Sequence, residues 1–177
     1  MSVIDGHEIL TLRDGTCVPV REIRAGDAAA LQRLVGRSSK RSIYLRYFGP
    51  MKELSDEQAR RFAEVDGRNR YALVALDPEQ PEEIVGVVRY EREGRADSAE
   101  YAALIEDRFQ GRGLGLGMTR SLIEAARERD IKRFHALVMH ENTGMLHLLR
   151  SLDLPERQRW EDGVEHVEIK LYPDEAA

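Results

Sequence analysis

The sequence predicts a mixed α/β domain, a mostly antiparallel central sheet flanked by helices. Three observations carry that expectation. Apolar runs of strand length recur at residues 71–76, 84–90, 100–105 and 134–139. A glycine-rich turn and a helical repeat separate the third run from the fourth, which is the layout of a β-α-β unit. The chain has 177 residues, 42% of them hydrophobic, which suits one globular domain with a sizeable core better than two.

From the N-terminus, residues 9–12 and 18–23 flank Asp14 and Gly15, and Asp-Gly between alternating stretches predicts a hairpin. Asp27 stands where it would cap a helix from Ala28 to about Val35. Ser55, with Gln58 three residues on, forms a capping-box pattern for a helix to about Val65. Between these helices, Arg37, Lys40, Arg41 and Arg46 form a basic cluster that reads as a solvated loop, with an acidic protein partner as the alternative. Residues 71–76 and 84–90, around a proline-bearing turn, make a central antiparallel pair. A strand at 100–105 leads into the glycines and a helix from about Leu114 to Arg129, where Leu114, Met118, Leu122 and Ala125 share one face. A strand at 134–139 follows, then Asn142 before a short apolar helix at 145–149, and a closing strand at 164–171. Repeats and low-complexity segments are absent.

Charge narrows the function. Lysine and arginine number 27 against 32 acidic residues, a formal charge of −5, so net attraction to nucleic acid or to an anionic membrane is not expected. Cys17 is the single cysteine and cannot form an internal disulfide. The first residues lack the layout of a signal peptide, and no apolar run has the length to span a membrane, so a cytoplasmic protein is expected.

Gly111, Gly113, Gly115 and Gly117 alternate where the helical pattern begins. A helix N-terminus presents unpaired N–H groups and the positive end of the helix dipole, and phosphate is a frequent guest there. Glycine lets the backbone close around such a ligand, although a plain strand-to-helix turn would use it too. The dinucleotide fingerprint fails, because Leu116 and Met118 stand where a third glycine would fall, and the P-loop spacing is absent.

The segment from Gln110 to Gly115 resembles the Q/R-x-x-G-x-G/A signature of the Gcn5-related N-acetyltransferases, with a strand before it, a helix after it and Asn142 beyond the next strand. The resemblance implies acetyl-CoA as co-substrate and no metal. It implies that Gly111, Arg112, Gly113, Leu114, Gly115 and Leu116, with Gln110 before them, hold the pyrophosphate. Ala103, Leu104 and Ile105 would meet the pantetheine arm, and Asn142 would contact the cofactor. It also implies one domain over residues 1–177, with a core at 18–171 and an N-terminal hairpin extension at about 1–17. Residues 42–48, 54–55, 65–66 and 71–75 are similar to the bacterial protein-lysine acetyltransferases, which implies a protein lysine as acceptor and Glu100 as general base.

The chemistry needs such a base. A lysine of reference pKa ~10.4 is an ammonium at neutral pH and has no lone pair for attack. A carboxylate beside it can take the proton, directly or through water. The neighbours of Glu100, Tyr101, Ala102 and Ala103, are mostly apolar, surroundings that favour a protonatable carboxylate. Glu141 and His140 are competing bases. A backbone N–H near Leu104 is the candidate to stabilise the developing oxyanion. Relatives use a tyrosine after the asparagine as acid. Residues 145–152 contain none, and His147 stands in by position. A thiol of reference pKa ~8.5 leaves without a dedicated acid. No H-E-x-x-H spacing suggests a catalytic metal. A small-molecule amine or a protein N-terminus is the alternative acceptor, and a non-catalytic acyl-CoA-binding module is the alternative of another class.

Overall fold

The computed structural model describes residues Ser2–Pro173. Its strands follow chain order across most of a nine-stranded sheet: β1 (Ser2–Ile4), β2 (His7–Thr11), β3 (Cys17–Glu22), β4 (Arg70–Leu76), β5 (Ile84–Glu91), β6 (Ser98–Ile105) and β7 (Arg133–Met139). β9 (Val164–Lys170) comes next, and β8 (Glu156–Glu161) forms the edge. All neighbours are antiparallel except β6 and β7, which are parallel because α4 (Leu114–Arg127) crosses over between them. α1 (Ala28–Arg37), α2 (Lys40–Tyr47) and α3 (Asp56–Ala63) lie between β3 and β4 in the chain, and α5 (Thr143–Arg150) lies between β7 and β8.

Helices cover both faces. Leu114, Met118 and Leu122 of α4, with Leu146 and Leu149 of α5, share one buried cluster with Tyr90, Tyr101 and Phe134 of the sheet. Leu31, Leu34, Ile43 and Ala59 of the other helices pack on Ala72, Val74, Val87 and Leu104. β4 and β5 are therefore buried along nearly their whole length, and they read as unbroken apolar runs rather than alternating ones.

Several elements differ from the expectation. The basic stretch after α1 is helical: Ser39 caps α2 by accepting a hydrogen bond from the Ser42 N–H at 3.1 Å. Arg37 is no solvated cation, because it lies 2.6 Å from Glu83 and 3.2 Å from Glu106. Asp27 occupies the N-cap position of α1 without capping it. Its carboxylate turns back to accept from the Arg24 N–H at 2.7 Å and from both ends of the Arg21 guanidinium. α3 and α4 each stop about two residues early, at Ala63 and Arg127. The hairpin at 162–163, which adds β8, and the short β1 were not expected.

The glycines have different physical reasons. Gly111 and Gly113 hold φ of 69° and 91°, a left-handed region that side-chain-bearing residues avoid. A Cβ on Gly115 would lie 2.9 Å from Leu148 Cδ1 of α5, and one on Gly117 would lie 3.1 Å from Leu10 Cδ1 of β2. Two glycines shape the turn, and two let neighbours approach the helix. Among the described residues, no helix is long and apolar enough to cross a membrane.

Candidate active site

The site begins where the sheet parts. β6 and β7 pair at Ser98 with Arg133, Ala99 with Phe134 and Glu100 with His135, and the ladder stops there. Beyond it a cavity of about 520 Å³ opens, lined by residues 100–105 of β6 and 136–138 of β7. Leu45, Arg46, Tyr47 and Phe48 of α2 line it from one face of the sheet. Met145, His147 and Leu148 of α5 line it from the other.

Glu100, Ala103, Leu104, Ile105, Gln110, Gly111, Gly113, Gly115, Leu116 and Asn142 meet around this one cleft. Arg112 and Leu114 do not line it. Leu114 is buried in the core, and Arg112 reaches away to Asp14 at 2.7 Å and to the Thr16 hydroxyl at 2.9 Å. Both still contribute backbone to the turn that opens α4. Glu100 is exposed on the cleft wall rather than enclosed in an apolar pocket. Glu141 and His140 stand outside the lining, and the His140 ring packs edge-on against Trp160. His147 lines the cleft with an exposed side chain.

Polar contacts fix the walls. The Gln110 amide donates to the Ile105 carbonyl at 2.8 Å and to the Ser42 hydroxyl at 3.1 Å, which ties the glycine turn to β6 and to α2. Asp107 accepts from the Ser39 N–H and hydroxyl and from the Ser42 hydroxyl, at 2.7 to 3.0 Å. Burial opposes its charge, but those donors outweigh burial and hold the carboxyl below the usual range. Asn142 caps α5, accepting from the Met145 N–H at 3.1 Å. The buried Tyr101 hydroxyl donates to Thr119, which donates to the Gly115 carbonyl. Burial raises that phenol to about 12, so it is fixed in place and reluctant to give up its proton. Phe48 ends α2 with φ of 62°, a strained conformation for a bulky residue that puts an aromatic on the cleft wall.

Sequence reasoning did not identify Arg13, Leu45, Tyr47 and Phe48 as lining. For α2 a signal existed in the Ser39–Ser42 cap. Arg13 lies about 100 residues from the glycine turn, and nothing local announces their meeting.

A parallel pair that parts, with a glycine turn opening a helix at one end and the Glu100 carboxylate on the β6 wall, frames the cleft. The family model described as "Acetyltransferase (GNAT) domain" matches residues 18–154, and the chain belongs to that acetyltransferase family. The GNAT domain of S. lividans PAT is 33% identical and superposes with a TM-score of 0.86, over 93% of this chain and 96% of that one. Acetyltransferase PA5475 of Pseudomonas aeruginosa is 29% identical over 147 residues, 82% of this chain and 79% of that protein. A cAMP-binding acyltransferase from Mycobacterium smegmatis shares the fold at TM-score 0.66 and 24% identity. There the alignment spans 94% of this chain but 48% of the other. Among the described residues, no group of three or more His, Cys, Asp or Glu is placed to hold a metal ion.

Proposed function

We propose that this acetyltransferase uses acetyl-CoA to modify a lysine on a protein, with Glu100 as the general base. The observation that carries the reading is the single cleft in which Glu100, the parted edge of β6 and the amides of the Gly111–Gly113 turn converge. The turn and the positive end of α4 suit the pyrophosphate. The β6 edge from Ala103 to Ile105 suits the amides of the pantetheine arm, and Asn142 lines the same cleft. Acceptance of a protein lysine is supported by the likeness of residues 42–48 to the lysine-modifying subgroup, because α2, which carries them, forms one wall of the cleft.

In this reading Glu100 takes a proton from the lysine ammonium, directly or through water. The freed nitrogen lone pair attacks the thioester carbonyl carbon. A C–N bond forms, the C–S bond breaks with its electrons remaining on sulfur, the attacking nitrogen gives up its second proton to solvent as the amide forms, and the thiolate takes a proton from solvent. An exposed Glu100 fits this role, since the acceptor must reach it from outside.

The test is incubation of the full chain with labelled acetyl-CoA and a panel of proteins, peptides, polyamines and amino acids, followed by mass spectrometry. Lysine acetylation above the non-enzymatic background, abolished by Glu100→Gln, is expected. Efficient turnover of a polyamine or amino acid with no modified lysine would replace the protein acceptor.

A further inference from the structure

Residues 18–154 match the family model, yet one residue that lines the cleft, Arg13, comes from outside that span. Arg13, in the turn between β2 and β3, lines the cavity beside the glycine turn. A Cβ on Gly113 would lie 3.7 Å from both Cγ and Nε of Arg13. The turn is braced there. The Arg13 N–H donates to the Arg112 carbonyl at 3.1 Å, and Arg112 in turn holds Asp14 and Thr16. Thr16 and Arg112 keep the Asp14 carboxyl down at about 2, so it stays charged at any working pH.

The bracing continues along α4. Gly113, Gly117 and Ser121, spaced four apart, share one stripe of the helix. Arg13 stands over the first and Leu10 over the second. Glu8 accepts from the Ser121 hydroxyl at 2.8 Å. The N-terminal hairpin therefore lies along the helix and sets a guanidinium at its start.

That placement is electrostatically odd. The N-terminus of a helix is its positive end, and a cation there is unfavourable unless an anion comes between. The neighbouring arginines are engaged: Arg112 with Asp14, and Arg108 with Asp77 and Glu106. Among the described residues, none pairs with the Arg13 guanidinium. Arg46, the other arginine of the cavity, stands with the α2 residues on the wall where β6 parts from β7.

We propose that Arg13 belongs to the phosphate site of the acyl-CoA, and that the N-terminal hairpin is thus part of the cofactor-binding machinery. The inference rests on the acetyl-CoA reading above. The guanidinium closes over the anion from the side opposite the Gly111–Gly113 amides and pairs with one of its two kinds of phosphate, the pyrophosphate or the ribose phosphate. Its planar fork suits a phosphate oxygen pair, and its charge offsets an overall acidic chain that would otherwise repel a polyanion.

The experiment is calorimetric titration of wild type, Arg13→Ala, Arg13→Lys and Gly113→Ala with CoA, dephospho-CoA and pantetheine, with thermal unfolding of each. Arg13→Ala should bind CoA roughly tenfold or more weakly. Arg13→Lys should recover part of that loss, and the salt dependence of binding should flatten in Arg13→Ala. An equal loss with dephospho-CoA assigns the contact to the pyrophosphate, and a loss confined to CoA assigns it to the ribose phosphate. Unliganded Arg13→Ala should unfold at or slightly above the wild-type temperature while gaining less from CoA, which a merely structural arginine would not do. Wild-type CoA affinity in Arg13→Ala, beside weakened binding in Gly113→Ala, overturns the role of Arg13 and leaves the acetyl-CoA reading standing. Failure of wild type to bind CoA, or binding untouched by both substitutions, overturns the placement of the phosphates as well.

Discussion

Gly113→Ala separates two consequences of the glycine turn. Gly113 holds φ of 91° and ψ of 1° at the start of α4, and an L-residue in a left-handed conformation costs about 1–2 kcal/mol. The added methyl would stand 3.7 Å from Arg13, an ordinary contact, so the backbone alone sets the stability cost. For a chain of this size each kcal/mol lowers the unfolding midpoint by about 2–4 °C, which predicts a fall of roughly 2–8 °C. Gly163, with φ of 82° and open space around it, supplies the comparison, since it stands in the β8–β9 turn and does not line the cleft. Gly163→Ala should lose similar stability and keep CoA binding. Gly113→Ala should lose both, because its methyl would enter the space that the proposed reading gives to the phosphate oxygens. Scanning calorimetry and titration calorimetry on both variants decide the matter. An unshifted midpoint in Gly113→Ala would refute the strain argument, and a folded variant with wild-type CoA affinity would refute the location of the phosphates.

Glu100→Gln should keep CoA affinity and lose turnover by ~10²–10⁴-fold, with the deficit shrinking as pH rises and more amine is already neutral. Steady-state rates across pH check this, and near-normal turnover at neutral pH would remove Glu100 from the mechanism. Gly115→Ala should destabilise by pressing on Leu148, whose Cδ1 would stand 2.9 Å from the new methyl. Combined with Leu148→Ala the losses should be less than additive, by about 0.5–3 kcal/mol in a double-mutant cycle. Asp27→Asn should cost about 2 kcal/mol at neutral pH, since both oxygens serve Arg21 and the Arg24 N–H. Burial opposes the Asp27 charge, yet those donors set its folded pKa below the unfolded value of ~3.9. The stabilisation is therefore complete above the unfolded pKa and lost as pH falls through the folded one. The gap between variant and wild type in urea titrations should close below about pH 4.

Periodicity and turn chemistry made the centre of the fold legible in the sequence. β4, β5, β6 and β7 carry strong apolar runs, and the Ser55–Gln58 capping box marks α3 where it forms. The periphery was harder. β8 reads Glu-Arg-Gln-Arg-Trp-Glu and is almost wholly exposed, so no buried face imposes alternation, and only Asp162 and Gly163 hint at a hairpin. α2 buries Ile43 alone, which left its Ser39 cap as the sole cue. Asp27 had the right residue type at the right place, but Arg21, six residues away on β3, competed for its carboxylate more strongly than the helix did. In the cleft, the glycine turn follows from its own spacing, whereas Asn142 and Glu100 were singled out by the family resemblance of the segment around it. Arg13 and the α2 wall follow from neither, because they arrive through tertiary packing from distant segments.

The parting of β6 from β7 also bears on what the sheet admits. Strand edges with unpaired backbone groups attract other strands, and proteins ordinarily shorten, charge or cover them. Here two such edges face each other inside the molecule, with α2 and α5 standing on either side. An intruding polypeptide strand would bring side chains on both faces and collide with those helices. An acyl-pantetheine arm carries amide groups without side chains, and is slim enough to lie along the gap. Under the acetyl-CoA reading proposed above, the opening would be selective by girth as well as by chemistry: two panels of one sheet, fastened at one end, would take in a thin amide-bearing thread and turn away the protein chains that would otherwise aggregate along them.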